Sequence, residues 1–539
     1  MTCFLPISIK FFLIGIVLIW FSSCRVSHLP GVQTDTWYIS PEADVALMFD
    51  EEGNGTFMGT DRAVSYPQRL KAWRLGGTYR LRLPGRPGLR GRITSDEDHF
   101  QVSSRKTGEV YFRKHRPSEL PKGPFRYKED VFPVVSKTTS EYGSAHGYYS
   151  SKVIEKRDNK SYWRVLFDVA ESVVFNVRRG EIALDLDVYE PVGDTTTLRP
   201  LLVLLHGGAF IAGDKEDVLV ANLARDYARR GYVVVSVNYR LGYIFLPGRY
   251  SNLERTMFSA IQDVRAALRY MSHHRDFYQI DPHTVFLGGN SAGGILSLKT
   301  AFMDEADIWP SARGSALRWQ SDLGCLDCSS NELFGPFTIQ GVINMWGAID
   351  DLALLHSDVK IPVLSIHGDN DRVVPFGHDY PFGNVSSRVA SFFTRRFYGS
   401  ASIHEHANAL GLDHRLYTFE GWGHEPQFSD HWEIIPENYR IIDDQMLDFI
   451  NEQLFRLPND PVGPFVVGMD DPVPVYTIHL SDNWESRFHC QDCLILSQGY
   501  KRARIVWMGG SEGYDLTVVA RGPHGQVITR NYRISVRQP

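Results

Sequence analysis

Residues 284–294 read Thr-Val-Phe-Leu-Gly-Gly-Asn-Ser-Ala-Gly-Gly, an apolar strand-like run that breaks into glycine on both sides of Ser291. A serine on a tight turn between a buried strand and a helix takes strained backbone angles that lift its hydroxyl clear of the sheet. Its flanking positions must then be small, because side chains there would strike neighbouring backbone. The pattern alone arises often by chance; its place between a strand and a helix-compatible stretch is what makes it specific. Upstream, the continuous apolar run Leu201–Leu205 leads directly into His206-Gly207-Gly208-Ala209-Phe210. A chain turning at successive small residues points consecutive N–H groups into one cavity. The amides of Gly208 and Ala209 are therefore expected to converge with that of Ala292 on a developing oxyanion.

Working outward, buried apolar strands alternate with amphipathic helices from about residue 162. Leu201–Leu205 reads as a strand covered on both faces. Asp217–Arg230 carries Leu219, Leu223 and Tyr227 at helical spacing, with Gly231 as its stop. Tyr232–Val237 is the next strand, and a helix over 255–273 puts Ile261, Val264, Leu268 and Met271 on one face. Strands at Val285–Gly288, Gly341–Met345, Pro362–Ile366 and Leu416–Phe419 precede a closing helix, Ile441–Leu454. Alternation of this kind specifies a mostly parallel α/β sheet. Two further strands are expected earlier, at Val173–Val177 and Ile182–Val188.

An acid and a base are still needed. Ile361–Pro375 reads IPVLSIHGDNDRVVP, a strand and then a loop with Asp369 and Asp371. Either carboxylate sits past a strand's C-terminal end, on the rim where it can orient an imidazole. His424, in the Gly-flanked loop Glu420-Gly421-Trp422-Gly423-His424, follows the last strand onto the same rim. The cluster His404-Glu405-His406 lacks the second histidine of an HExxH zinc motif and reads as an exposed helix.

These motifs together resemble the α/β-hydrolase serine esterases, across roughly residues 162–455. HGGAF is similar to the HGGG-type oxyanion motif, GNSAGG to the nucleophile elbow, Asn238-Tyr239-Arg240-Leu241 to the NYRL stretch, HGDNDRVVP to the HGxxDxxVP acid loop, and GWGHEP to the histidine loop. The resemblance selects Asp371 over Asp369 and implies a triad of Ser291, Asp371 and His424, in the family's chain order. It also implies acyl transfer on a small-molecule ester, with no cofactor and no metal. Ala209 departs from the family's third glycine: the amide survives, but a methyl intrudes. Two rival readings are a prolyl-oligopeptidase-type serine peptidase, for which too few residues precede the core to build a propeller, and a non-catalytic adhesion protein on a dead hydrolase fold.

Flanking segments read differently. Residues 24–113 alternate short strands with Gly, Asp and Pro turns, as in a small β-barrel or sandwich, loosely similar to lipocalin-like domains. Residues 114–161 look like a Pro-, Lys- and Ser-rich connector, 162–456 the catalytic domain, and 465–539 a C-terminal β-sandwich. Aromatic residues Trp309, Trp319, Phe334 and Phe337, and Phe376, Tyr380 and Phe382, form a cap over the serine, a sugar-stacking wall that would suit a glycan ester, or ordinary packing.

Residues 4–21 are apolar except for Lys10, so 1–23 read as an export signal. Ser22-Ser23-Cys24 resembles a lipobox, which makes Cys24 a candidate for lipidation and membrane attachment at the cell surface or periplasmic face, the alternative being secretion. In an oxidising compartment the CxxC pairs Cys325/Cys328 and Cys490/Cys493 are expected as local disulfides rather than a metal site. The chain has 539 residues, 57 basic and 63 acidic, for a net charge of −6. With no basic stripe, nucleic acid is excluded as a partner.

Overall fold

The computed structural model describes residues 24–25, 32–149 and 178–537, less short stretches at 41–44, 52–53, 76–77, 83–88, 96–97, 105–107, 116–119, 121–124, 244–250, 315–319, 384–385, 392, 430, 458, 481–482, 500 and 510–511. The expected export signal, the strand Val173–Val177 and Trp319 lie outside them. Two compact units are formed. One takes in the chain up to Leu120 with Pro458–Ala520 and Thr529–Pro539, the other Pro121–Leu457 with Arg521–Ile528.

The larger unit is an α/β sandwich around eight strands: β1 (Val135–Tyr149), β2 (Arg178–Pro191), β3 (Arg199–Leu205), β4 (Val233–Val237), β5 (Ile280–Asn290), β6 (Ile339–Met345), β7 (Val363–Gly368) and β8 (His414–Phe419). They lie in the order β1-β2-β4-β3-β5-β6-β7-β8. β1 and β2 pair antiparallel, as do β2 and β4; every later pair is parallel. Between them run α1 (Val218–Arg229), α2 (Ser251–His273), α3 (Ala292–Phe302) and α4 (Ser400–Leu410), and α5 (Pro436–Leu454) follows β8. This is the α/β-hydrolase sheet that the motifs implied.

Local chemistry accounts for these boundaries. β3 is buried along its whole length, because helices cover both faces of the sheet. Asp217 caps α1 by accepting from Leu219 N and Val220 N. The helix ends where Gly231 takes φ 104°, with Gly231 N and Tyr232 N donating back to Ala228 O and Tyr227 O. That paired closure needs a residue free to adopt left-handed angles.

β1 lies in the stretch read as a connector. It is an edge strand whose sequence, Val-Ser-Lys-Thr-Thr-Ser-Glu-Tyr, carries polar residues where an inner strand would be apolar, so no hydrophobic alternation marks it. A bulge between Glu141 and Gly143 breaks its register, and a Cβ at Gly143 would stand 2.0 Å from Ser330 O.

In the smaller unit, eight antiparallel strands close on themselves. Starting at Gln68–Leu75, the ring runs through Gly55–Gly59, Val45–Phe49, Tyr38–Ser40, Gly108–Lys114, His99–Ser104, Leu89–Ser95 and Thr78–Arg82, which pairs back to the first. Tyr38, Leu47, Phe57, Phe100 and Phe112 fill it. Cys24–Arg25 pairs with the Gln68–Leu75 strand. The C-terminal strands, expected as a separate sandwich, join this unit. Val64–Ser65 pairs parallel with Trp507–Met508, and Ile39, Ala46 and Met58 share a core with Leu494, Leu496 and Val506. The structure joins Cys325 to Cys328 and Cys490 to Cys493.

Candidate active site

Sheet register assembles the site. Leu205 on β3 stands opposite Gly289 on β5, so the HGGAF turn and the serine elbow leave the sheet side by side. Gly368 on β7 stands opposite Phe419 on β8, which brings the acid and histidine loops together on the same rim.

Ser291 sits between β5 and α3 at φ 55° and ψ −116°, angles that non-glycine residues rarely adopt. Its N–H donates to Met345 O at 2.8 Å and its carbonyl accepts from Ile295 N at 3.0 Å, which hold the elbow from both sides. The flanking glycines are required: a Cβ on Gly293 would approach Leu205 O to 2.1 Å, and one on Gly289 would come within 2.6 Å of the same atom.

Ser291 Oγ lies 2.9 Å from His424 Nε2, and His424 Nδ1 lies 2.6 Å from Asp371 Oδ2. The other carboxylate oxygen of Asp371 accepts from Val373 N and Val374 N at 2.7 and 3.1 Å. Asp369 is placed elsewhere; its Oδ1 accepts from Gly421 N at 2.6 Å and braces the histidine loop from outside. Burial alone would raise the Asp371 pKa, but the His424 and His367 imidazoles outweigh it and hold the group well below the usual carboxylate range. Burial likewise disfavours the charged form of His424, and the Asp371 carboxylate more than compensates, raising its pKa above the ordinary 6.5.

In the HGGAF turn, Gly208, Ala209 and Phe210 all take positive φ, at 110°, 54° and 59°. Gly208 has no alternative, since a Cβ there would stand 1.9 Å from Ala212 O. The ring of His206 stacks on Tyr239 at 4.3 Å, and the Tyr239 hydroxyl donates to His206 O at 2.6 Å, fixing the start of the turn. A pocket opens beside Ser291 and Ala292. Its wall is apolar: Ala209, Phe210, Tyr243, Leu253, Ile295, Val373, Val374, Pro375, Phe382 and Phe397. Of the aromatics expected as a cap, Phe382 lines this pocket. Trp309 is instead a core residue donating its Nε1–H to Asp350 at 3.1 Å, and Phe334 is exposed.

Three neighbours of the triad were not singled out from sequence. His367 contacts Asp371 from behind. Trp346, just past β6 at φ 42°, meets His424 edge-on with centroids 6.5 Å apart. Glu425 has its carboxyl pushed up to about 7 by burial, against the pull of His424. The first of these lay in plain view inside the quoted HGDNDRVVP stretch. His404, read as part of an exposed helix, is helical but buried on α4, its Nδ1 2.9 Å from His414 Nδ1. Among the described residues, no group of three or more His, Cys, Asp or Glu side chains is placed to hold a metal.

Sheet order, elbow and rim loops define an α/β-hydrolase fold. The BD-FAE family matches residues 186–360, a span that contains HGGAF and Ser291 and stops short of Asp371 and His424. Lipase 1 of Geotrichum candidum is 31% identical over 134 residues, 24% of this chain and 23% of that protein. An acetyl esterase of Salmonella schwarzengrund is 31% identical over 156 residues, 27% and 44% of the two chains. Carboxylesterase patB of Aspergillus clavatus is 27% identical over 241 residues, 38% and 43%. The chain thus spans less than half the length of these curated relatives. Among solved structures, a truncated carbohydrate esterase from gut microbiota aligns over 61% of this chain and 99% of its own at 18% identity, with a TM-score of 0.37. Esterase 2 of Thermogutta terrifontis aligns over 58% and 94% at 17% identity, with a TM-score of 0.35.

Proposed function

We propose that this chain is a serine hydrolase that cleaves short-chain or carbohydrate-linked carboxylic esters through an acyl-enzyme. The carrying observation is the unbroken line from Ser291 Oγ through His424 to Asp371 Oδ2. His424 Nε2 takes the Ser291 proton as Oγ attacks the ester carbonyl. Asp371 keeps the other imidazole proton on Nδ1 and stabilises the cation that forms. The oxyanion is held by the amides of Gly208, Ala209 and Ala292, each worth roughly 100- to 1,000-fold in rate. His424 then protonates the leaving alcohol, and water repeats the cycle on the acyl-enzyme. The apolar wall beside Ser291 suits a small acyl group, and the names of the curated relatives favour esters over peptides.

The test is a series of p-nitrophenyl esters from acetate to octanoate, acetylated polysaccharide and peptide substrates, run beside labelling by a fluorophosphonate. Ester turnover with labelling at Ser291 is expected; peptide turnover without ester turnover, or no labelling, would refute the reading. Within that series Ala209→Gly keeps the amide and removes the methyl from the pocket wall. The kcat/KM ratio of hexanoate to acetate should rise by roughly three- to tenfold. An unchanged ratio would show that Ala209 does not limit the acyl chain.

The pH dependence follows from the raised pKa of His424. The imidazole must be neutral to act as base, so kcat/KM falls as pH drops through that value, with a midpoint above 6.5. The Glu425 carboxylate contributes to the elevation. Glu425→Gln should therefore move the acid limb to lower pH, and a limb that stays or moves upward would contradict this coupling.

A further inference from the structure

His367 is buried without measurable exposure and lines no part of the pocket, yet its Nε2 lies 3.1 Å from Asp371 Oδ2, the oxygen that also meets His424 Nδ1. One carboxylate oxygen thus serves two imidazoles, with two backbone amides on the other. Behind His367 the hydrogen bonds continue. Its Nδ1 lies 2.8 Å from Ser400 Oγ, and Asn344 Nδ2 reaches Ser400 Oγ at 3.2 Å and Ser365 Oγ at 3.0 Å. Asn344 Oδ1 accepts from Gly347 N at 2.9 Å, which fixes which end of the amide donates.

Both partners of His367 Nε2 are acceptors, Asp371 Oδ2 and Val374 O, so this nitrogen carries a proton. With Asn344 donating to Ser400 Oγ, the Ser400 hydroxyl hydrogen is left to point at His367 Nδ1. The ring proton is then on Nε2, facing Asp371 Oδ2 and, at 3.2 Å, Val374 O. Phe376 packs edge-on against the ring at 5.5 Å, and the titratable groups that act on Asp371 and His424 are each other, His367 and Glu425.

Resting on the serine-hydrolase reading, we propose that His367 is a positioning residue: an Nε2–H donor, held in place by Ser400 and Asn344, that fixes the Asp371 carboxylate and sets how strongly it binds the His424 proton. The consequence concerns basicity as well as geometry. A carboxylate oxygen shared between two donors accepts less strongly from each, so His367 moderates the hold of Asp371 on His424.

The experiment compares His367→Leu, His367→Gln and Ser400→Ala, each with a thermal melt, ester kinetics across pH and the low-field proton resonance of the His424–Asp371 hydrogen bond. For folded His367→Leu, kcat should fall on the order of tenfold to a hundredfold with KM within twofold. The acid limb should move to higher pH and the resonance further downfield. His367→Gln retains an N–H donor and should recover most of the loss, while Ser400→Ala, which removes the Nδ1 partner of His367, should fall between. Folded His367→Leu with unchanged kcat and resonance overturns the proposal. So does an equal loss in both His367 variants with the resonance unmoved, which would mean packing alone. If His367→Leu does not fold, unchanged kinetics and resonance in Ser400→Ala overturn it instead. Should wild type turn over no ester, the hydrolase reading fails by itself, and the resonance still decides the role of His367.

Discussion

Ser291→Ala is expected to lower kcat for a short p-nitrophenyl ester by on the order of 10⁴- to 10⁶-fold while leaving the melting temperature within a few degrees. The substitution removes one oxygen, the atom 2.9 Å from His424 Nε2. Everything that shapes the elbow survives it. Ser291 N–H still donates to Met345 O, Ile295 N–H still reaches the carbonyl of residue 291, and alanine meets the same backbone strain at φ 55° as serine. Residual activity should come from the amides that bind the oxyanion, which a lost nucleophile does not disturb. The measurement is kcat against p-nitrophenyl acetate with a parallel unfolding curve. Full activity in the folded variant would remove Ser291 from the mechanism.

The second large effect separates two aspartates only two positions apart. Asp371→Asn should reduce kcat by about 10³- to 10⁴-fold, and Asp369→Asn by less than tenfold. At 371, the amides of Val373 and Val374 claim one side-chain oxygen, so an asparagine there must turn its NH₂ toward His424. A donor facing Nδ1 forces the ring proton onto Nε2, where it meets the Ser291 hydroxyl, and the imidazole cannot act as base. Asp369 accepts a single bond from Gly421 N, and asparagine accepts it equally well. Losing the carboxylate at 371 should also move the acid limb of kcat/KM to lower pH, since that carboxylate raises the His424 pKa. Equal losses in the two variants, or a larger one at 369, would reverse the assignment.

What could be read from sequence was what is local. Gly289, Ser291 and Gly293 announce the elbow because the same few residues both create the tight turn and pay its steric cost. HGGAF is legible for the same reason. The CxxC pairs close over three residues, so their partners were visible at once. Asp371 and His424 are 53 residues apart, and only their positions after successive strands, with the family resemblance, linked them. Edge strand β1 escaped because its polar face resembles a linker. The flanking β segments were divided because Val64 and Trp507, neighbours in one sheet, share no pattern along the chain. His367 was quoted but given no task, since nothing in HGDNDRVVP says that two imidazoles converge on one oxygen.

The smaller unit is built from both ends of the chain, and this bears on its synthesis. When its ring strands leave the ribosome, the segments carrying Leu494, Leu496 and Val506 have not yet been made, so Ile39, Ala46 and Met58 have nothing to cover them. The α/β unit, complete but for residues 521–528, emerges next and can fold before those segments arrive. Premature termination after the last α/β helix would therefore leave the three rim loops intact and strand an apolar face of the ring in water. Such fragments should be prone to aggregate through a surface that has no part in the chemistry.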